Sequence, residues 1–245
     1  MDKLINKTKN LLKKSSAIRN FGILFRRKVL HSKHLYFLSG STRPLSAQYG
    51  FERGKPLDRY YIEDFLGNNS VDIKGACLEV HNSAYLDRYG EEKVTQKDVL
   101  DIDQNNENAN IVDDLRKLEK IKDDTYDCIV LTQVFQFIDD VEAAISEVHR
   151  VLVPGGVLLV TLPSLSRADC ASGVSGDYWR FTVSGASYMF GKKFSADNVQ
   201  VESRGNVRTG LYFYAGLSVS DVPKKILEKD DENFSTIVTV RAVKS

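Results

Sequence analysis

Apolar positions change their spacing along this chain, and the changes mark its elements. Ala76-Cys77-Leu78-Glu79-Val80, Cys128-Ile129-Val130-Leu131-Thr132 and Val157-Leu158-Leu159-Val160-Thr161-Leu162 are short, β-branched and nearly free of alternation. That pattern predicts strands covered on both faces of a parallel sheet. Between the last two, Val141, Ala144, Ile145, Val148 and Leu152 recur at helical spacing behind Asp139 and Asp140, whose charge suits a helix amino end. Gly155 and Gly156 predict the reversal that stops this helix. Tyr126 to Pro163 thus reads as a βαβ unit, an arrangement that binds ligands at the carboxyl ends of its strands.

The flanking segments extend the pattern. A helix is expected from Leu57 or Asp58 to about Leu66, with Tyr60, Tyr61, Ile62 and Phe65 on its apolar side and Gly67-Asn68-Asn69 ending it. Strands are expected from Lys93 to about Val99 and near Ala109–Val112, and a helix over Phe181–Phe190. Val199–Arg204 and Thr236–Val243 alternate, as a closing antiparallel pair does. The predicted fold class is α/β, a doubly wound, Rossmann-like sheet of seven strands, over residues 56–245. Residues 1–55 read as a basic helical extension and a loop.

Composition adds little until charge is placed along the chain. The 245 residues carry a net charge of +1. Residues 1–34 hold ten Lys or Arg against Asp2 alone, a net of +9, leaving −8 for the remainder. Leu4, Leu11, Ile18 and Phe25 are spaced by sevens there, so the arm reads as a basic amphipathic helix. Three occupants suit it: the domain or a partner subunit, a membrane surface, or a nucleic acid. Nothing later in the chain supplies a groove-reading or aromatic nucleic-acid motif, and the acidic body opposes an extended footprint. No apolar run approaches the roughly 20 residues of a membrane span. Cys77, Cys128 and Cys170 have no metal-ligand spacing, and the first two fall in predicted buried strands, which suits a reducing cytosol.

The aspartate Asp127 opening one strand and the segment Arg150-Val151-Leu152-Val153-Pro154-Gly155-Gly156 leading into the next resemble class I S-adenosylmethionine-dependent methyltransferases, nearest to the type-11 group. The resemblance runs from about Pro56 to Lys244. It implies an S-adenosylmethionine cofactor and an antiparallel last strand inserted beside the fifth. Segments such as Arg53-Gly54-Lys55-Pro56-Leu57-Asp58-Arg59 and Asp177-Tyr178-Trp179-Arg180-Phe181-Thr182 resemble members associated with glycan or secondary-metabolite synthesis. They imply a small or carbohydrate-like acceptor, methylated at oxygen.

The family pattern is then carried over residue by residue. Glu79 matches the acid closing strand one. A glycine-rich turn should follow, but His81, Asn82 and Ser83 stand there. His81 is open to two readings, a general base toward a hydroxyl or a filler of the space left by absent glycines. A scaffold that keeps the fold without the cofactor is the rival reading on this feature. Asp98 is the best match for the acid that takes the ribose hydroxyls, with Asp101 and Asp103 as alternatives. Asp114 and Leu115 match the adenine contact, with Asp113 competing; Thr132 and Gln133 match the end of strand four. Substrate candidates are Arg53, Arg59, Tyr60, Asp177, Trp179 and Arg180. Arg53 is also the expected partner of the cofactor carboxylate, an Arg59–Asp58 ion pair is the plain structural alternative, and Thr182 or Ser184 is an alternative helix cap.

Overall fold

A computed structural model of the chain describes residue 37 and residues 40–169 and 176–245. The predicted arm helix over residues 1–34 and Cys170 lie outside the described residues. Among the described residues seven strands form one sheet: β1 (Gly75–Val80), β2 (Val94–Asp101), β3 (Ile111–Val112), β4 (Tyr126–Thr132), β5 (Leu152–Pro163), β6 (Val199–Arg204) and β7 (Ile237–Val243). Their order is β3-β2-β1-β4-β5-β7-β6, with β7 antiparallel to both neighbours and the rest parallel. The expected doubly wound α/β sheet and its inserted antiparallel last strand are both present.

Strand period divides the core in two. Leu78, Ile129, Leu131, Leu158 and Val160 face one side, where α2 (Val141–Val151) and α3 (Val183–Phe194) pack. Cys77, Cys128, Val130 and Leu159 face the other, under Ile62, Phe65 and Leu66 of α1 (Leu57–Asn68). Each such aliphatic side chain, fully withdrawn from water, contributes about 1.5–3 kcal/mol. A third cluster joins Leu57 to Phe213 of α4 (Val207–Tyr214) and to Leu217, Val222 and Leu227. Residues 45–55 are tied to this cluster by Leu45 donating to the Ala215 carbonyl and Val219 donating to that of Lys55.

Local chemistry explains the boundaries. Asp140 caps α2, accepting from the Ala143 amide at 2.9 Å, and Thr182 caps α3, accepting from Gly185 at 3.0 Å. Asp127 accepts the Ala76 amide at 2.8 Å, and Gly75 (φ 72°) leaves the room for it, since a Cβ there would lie 2.1 Å from the carboxylate. One expectation is corrected. α2 does not end at Gly155-Gly156; it stops at Val151, and Leu152 already pairs with Tyr126 as strand. Pro154 forbids helix there, and the glycines sit in an irregular stretch of β5, where the amide of Gly155 donates to Lys244.

A polar cluster inside the sheet corrects another. Asp98 lies mid-strand in β2, 9% exposed, and accepts from Asn110 (2.7 Å), Gln96 (2.7 Å) and the Tyr126 hydroxyl (2.9 Å). Its carboxylate is consumed by the core and faces no crevice, because β2 runs on to Asp101. Burial, followed by the hydrogen bond to Asp98, pushes the Tyr126 hydroxyl well above its usual range. Replacing Tyr126 by Phe removes one of three donors to a buried charge and is expected to destabilise the fold by about 2 kcal/mol. Urea unfolding checks this; an unchanged midpoint would mean the bond carries no net stability.

Candidate functional site

The sheet order reverses between β1 and β4, and connections leave in opposite directions there, so a crevice opens at their carboxyl ends. A cavity of about 890 Å³ fills it. His81 and Gln133, the first residues past β1 and β4, continue the ladder by donating to Leu100 and Thr161, each at 2.9 Å. Both then turn left-handed, at φ 75° and 57°. Non-glycine residues in that region carry strain, and such strain gathers at ligand sites. His81 therefore supplies the backbone turn that a glycine would, while adding an imidazole to the cavity wall.

That imidazole is clasped. Its Nδ1 lies 3.1 Å from Asp101, and Asn106 donates to both the Asp101 carboxylate (2.6 Å) and the His81 carbonyl (2.7 Å). Asp101 also accepts the Asp103 amide at 3.0 Å. Burial raises the Asp101 carboxyl, but these hydrogen bonds outweigh it and hold the group below the usual carboxylate range. Asp101, one of the named alternatives to Asp98, ends β2 and lines the cavity, which Asp98 does not.

Glu79 lies behind the cavity wall. Its carboxylate, 3% exposed, accepts the Tyr85 and Leu86 amides at 3.1 and 2.9 Å and so anchors the turn that follows β1. Asn82 caps the same turn through the Ala84 amide. Neither lines the cavity. Asp114, Leu115, Thr132 and Gln133 do. Arg116 grips Asp114 through two nitrogens and reaches Asp139 at 2.7 Å, strapping the β3 loop to the start of α2 and holding Asp114 below its ordinary range.

The opposite wall comes from α1 and from the loops after β4 and β5. Asp58 and Arg59 line it, with Oδ2 of Asp58 and Nη1 of Arg59 3.7 Å apart. Burial raises the Asp58 carboxyl, with Arg59 partly opposing. Arg59 Nη1 is buried without a hydrogen-bond acceptor, and Oε1 of Gln136, on the same cavity, is buried without a donor. Asp177 also lines the cavity but is gripped by Arg180, which further binds the Ser166, Arg167 and Trp179 carbonyls. Arg180 thus braces the loop.

Four substrate candidates point elsewhere. Arg53, 8% exposed, forms a two-nitrogen pair with Asp221 at 3.0 and 3.2 Å, clear of the cavity. Tyr60 packs edge-on against Tyr61 at 5.2 Å. Trp179 donates to Ile138 at 2.8 Å and, with Arg180, lines a separate cavity of about 320 Å³ between α2 and α3. Sequence reasoning missed Gln136 and Tyr49. The latter carries Arg167 4.1 Å above its ring, and burial, the leading cause, pushes its hydroxyl up to about 12.

Residues 73–160 match the family model described as methyltransferase domain. This segment is a methyltransferase domain. No curated protein sequence matches the chain. Among solved structures the chain is similar to an S-adenosylmethionine-dependent methyltransferase of Thermotoga maritima, described as a possible histamine N-methyltransferase. That match has 13% identity and a TM-score of 0.52, covering 90% of this chain and 98% of that one. A candidate sarcosine dimethylglycine methyltransferase of Galdieria sulphuraria matches with 14% identity and a TM-score of 0.51, covering 77% and 85%. At these identities the likeness is one of fold.

The methyltransferase-domain match implies an S-adenosylmethionine cofactor. The residues present fit it. The cavity has the size of a small-molecule site and sits at the switch point, its floor is acidic at Asp101 and Asp114, and two buried polar atoms wait there for partners.

Burial also sets a pH signature in the domain. It pushes the Glu79 carboxyl up from an ordinary 4.5 to about 7, against the opposing amides of Leu86 and Tyr85. The folded state then keeps a proton that the unfolded chain has lost between these values, so stability falls as pH rises from 4.5 to about 7 and levels off above. The loss is on the order of 3 kcal/mol at most. Glu79→Gln keeps an acceptor for both amides and is expected to flatten that slope in urea titrations at several pH values; an unchanged slope would assign it to another group.

Proposed function

We propose that the chain transfers a methyl group from S-adenosylmethionine to a hydroxyl of a small, carbohydrate-like acceptor. The observation that carries this reading is the pair of unsatisfied buried atoms on one cavity, Arg59 Nη1 and Gln136 Oε1: a donor suited to an anion and an acceptor suited to a hydroxyl or ammonium. When bound, the cofactor supplies an electrophilic methyl group on a sulfonium. Asp101 would receive the ribose hydroxyls, with the His81 ring beside it, and the Asp114-Leu115 segment the adenine edge. Arg59 would receive the cofactor carboxylate. The acceptor oxygen would take the methyl group that the sulfonium supplies, S-adenosylhomocysteine being the leaving group, and a carboxylate on the wall would take the hydroxyl proton.

Asp58 suits that last role, since its raised carboxyl has more affinity for a proton than an exposed aspartate has. The mixture of Asp58 and Asp177 with Tyr49, Tyr178 and Phe213 on one wall suits a polar ring with apolar faces. Asp58→Asn is expected to cut methyl transfer by about 100-fold or more, while S-adenosylhomocysteine affinity stays within about threefold. A matched loss of both would remove Asp58 as the base.

A specific feature favours the scaffold reading, namely the clasped His81 at the glycine position. Calorimetry with S-adenosylmethionine and S-adenosylhomocysteine separates the two. Micromolar binding by the wild type, weakened about tenfold or more by Asp101→Ala, is expected for an enzyme. Folded wild-type and His81→Gly proteins that both fail to bind would establish the scaffold.

A further inference from the structure

The segment Asp177-Tyr178-Trp179-Arg180 stands between two cavities. Asp177 and Tyr178 line the large one at the switch point, whereas Trp179 and Arg180, next in sequence, line the second, of about 320 Å³. The strip is thus a partition, and Asp139 lies on both cavities. Trp179 is pinned there. Its indole N–H donates at 2.8 Å to the carbonyl of Ile138, a residue of the first cavity, while 43% of Trp179 stays exposed. An aromatic side chain fixed in place yet left open to solvent is a contact surface already organised for a ligand.

The second cavity mixes two chemistries. Val141, Phe181 and Met189 join the indole as apolar lining, and Asp139, Asp140 and Glu142 bring carboxylates. One oxygen of each acid is engaged: that of Asp139 by Arg116 and the Asp140 amide, that of Asp140 by the Ala143 amide, and that of Glu142 by Lys192. Among the described residues their second oxygens accept no hydrogen bond. The Arg180 guanidinium is held by Asp177 and by the Ser166, Arg167 and Trp179 carbonyls. An acyl chain would leave these carboxylates facing hydrocarbon, and a phosphate would be repelled by them. A sugar ring suits both parts, since its C–H face meets the apolar groups and its hydroxyls donate to the open oxygens.

We propose that the second cavity holds the sugar unit next to the one that is methylated. The acceptor is then a disaccharide or a longer glycan that passes Asp139, with its second ring against the Trp179 indole. This rests on the carbohydrate-like acceptor proposed above and adds its length. Trp179 sets which unit of the glycan reaches the methyl donor, so it determines specificity without touching the cofactor.

Trp179 is the only tryptophan of the chain, so its fluorescence reports this cavity. The test titrates the full chain, saturated with S-adenosylhomocysteine, with maltose, cellobiose and diacetylchitobiose against glucose and N-acetylglucosamine. At least one disaccharide is expected to shift the emission and, by calorimetry, to bind about tenfold more tightly than its own monosaccharide. Trp179→Ala is expected to erase that preference. Trp179→Phe, which keeps a ring but not the N–H, is expected to retain most of it, with S-adenosylhomocysteine affinity within about threefold of wild type in both variants. A chain that binds S-adenosylhomocysteine but shows no disaccharide preference, or keeps that preference in Trp179→Ala, overturns the subsite and leaves the cofactor site standing. A folded chain that binds no S-adenosylhomocysteine overturns the methyl-transfer reading, and the subsite with it.

Discussion

One pairing carries this structure. β1 and β4 meet in parallel through Cys77–Cys128, Leu78–Ile129 and Glu79–Val130, and among the described residues this ladder joins the β1–β3 half of the sheet to the β4–β7 half. Its interior is apolar on both faces, with Cys77, Leu78, Cys128, Ile129 and Val130 fully buried. Its carboxyl end is the reverse. There the ladder stops, two residues turn left-handed, and the chain departs to opposite sides. The apolar body of the pairing holds the fold, and its polar end makes the cavity. A substitution that loosened this ladder would therefore unseat the site before disturbing the outer strands.

What was legible in the chain follows from range. β1, β4 and β5 were readable because a buried strand writes its environment into consecutive residues, β6 because an edge strand alternates, and α2 because its apolar stripe and Asp140 cap are local. The end of β2 was not. Asp98 reads as a crevice acid until Tyr126, 28 residues away, is seen to donate to it and consume it. Arg53 reads as a ligand arginine until Asp221, 168 residues away, takes it. In both cases the residue type was informative and the partner was not in the window. Asp101, Asp114, Leu115, Thr132 and Gln133 did come together on the cavity, because strand ends at a switch point are placed by topology, and topology was legible. Gln136 carried no signal: its importance lies in an oxygen left without a donor.

Charge around the cavity is mostly spent on architecture. Arg116 holds two acids across the β3 and α2 loops, Arg180 ties Asp177 to three backbone carbonyls, and Arg167 lies over Tyr49. These pairs stiffen the walls, so a ligand entering the cavity meets few cations still short of a partner. Arg59 on the cavity keeps a buried nitrogen without a hydrogen bond, as Arg167 does over Tyr49, and the neighbour of Arg59, Asp58, is weakened as an ion by burial. A preorganised cavity with one unfilled donor and one unfilled acceptor is selective through what it leaves unpaired, since a ligand that fails to meet them loses more than the contact.

The His81 clasp makes that selectivity unusual for the fold. A glycine at this position would free Asp101 of the imidazole alone, leaving the Asn106 and Asp103 donors in place. Here one oxygen accepts Asn106 and His81 and the other accepts the Asp103 amide, so the carboxylate has fewer lone pairs to offer an incoming hydroxyl. The imidazole, 72% exposed as a side chain, presents its second nitrogen beside it. A diol bound there would share its hydroxyls between a carboxylate oxygen and a ring nitrogen. The bulk that departs from the family's glycine pattern thus also adds a hydrogen-bonding group, and the two effects oppose one another in affinity. Their balance is set by whether the clasp stays closed: the Asn106 bonds to both His81 and Asp101 favour closure, and the strain of a left-handed histidine favours release.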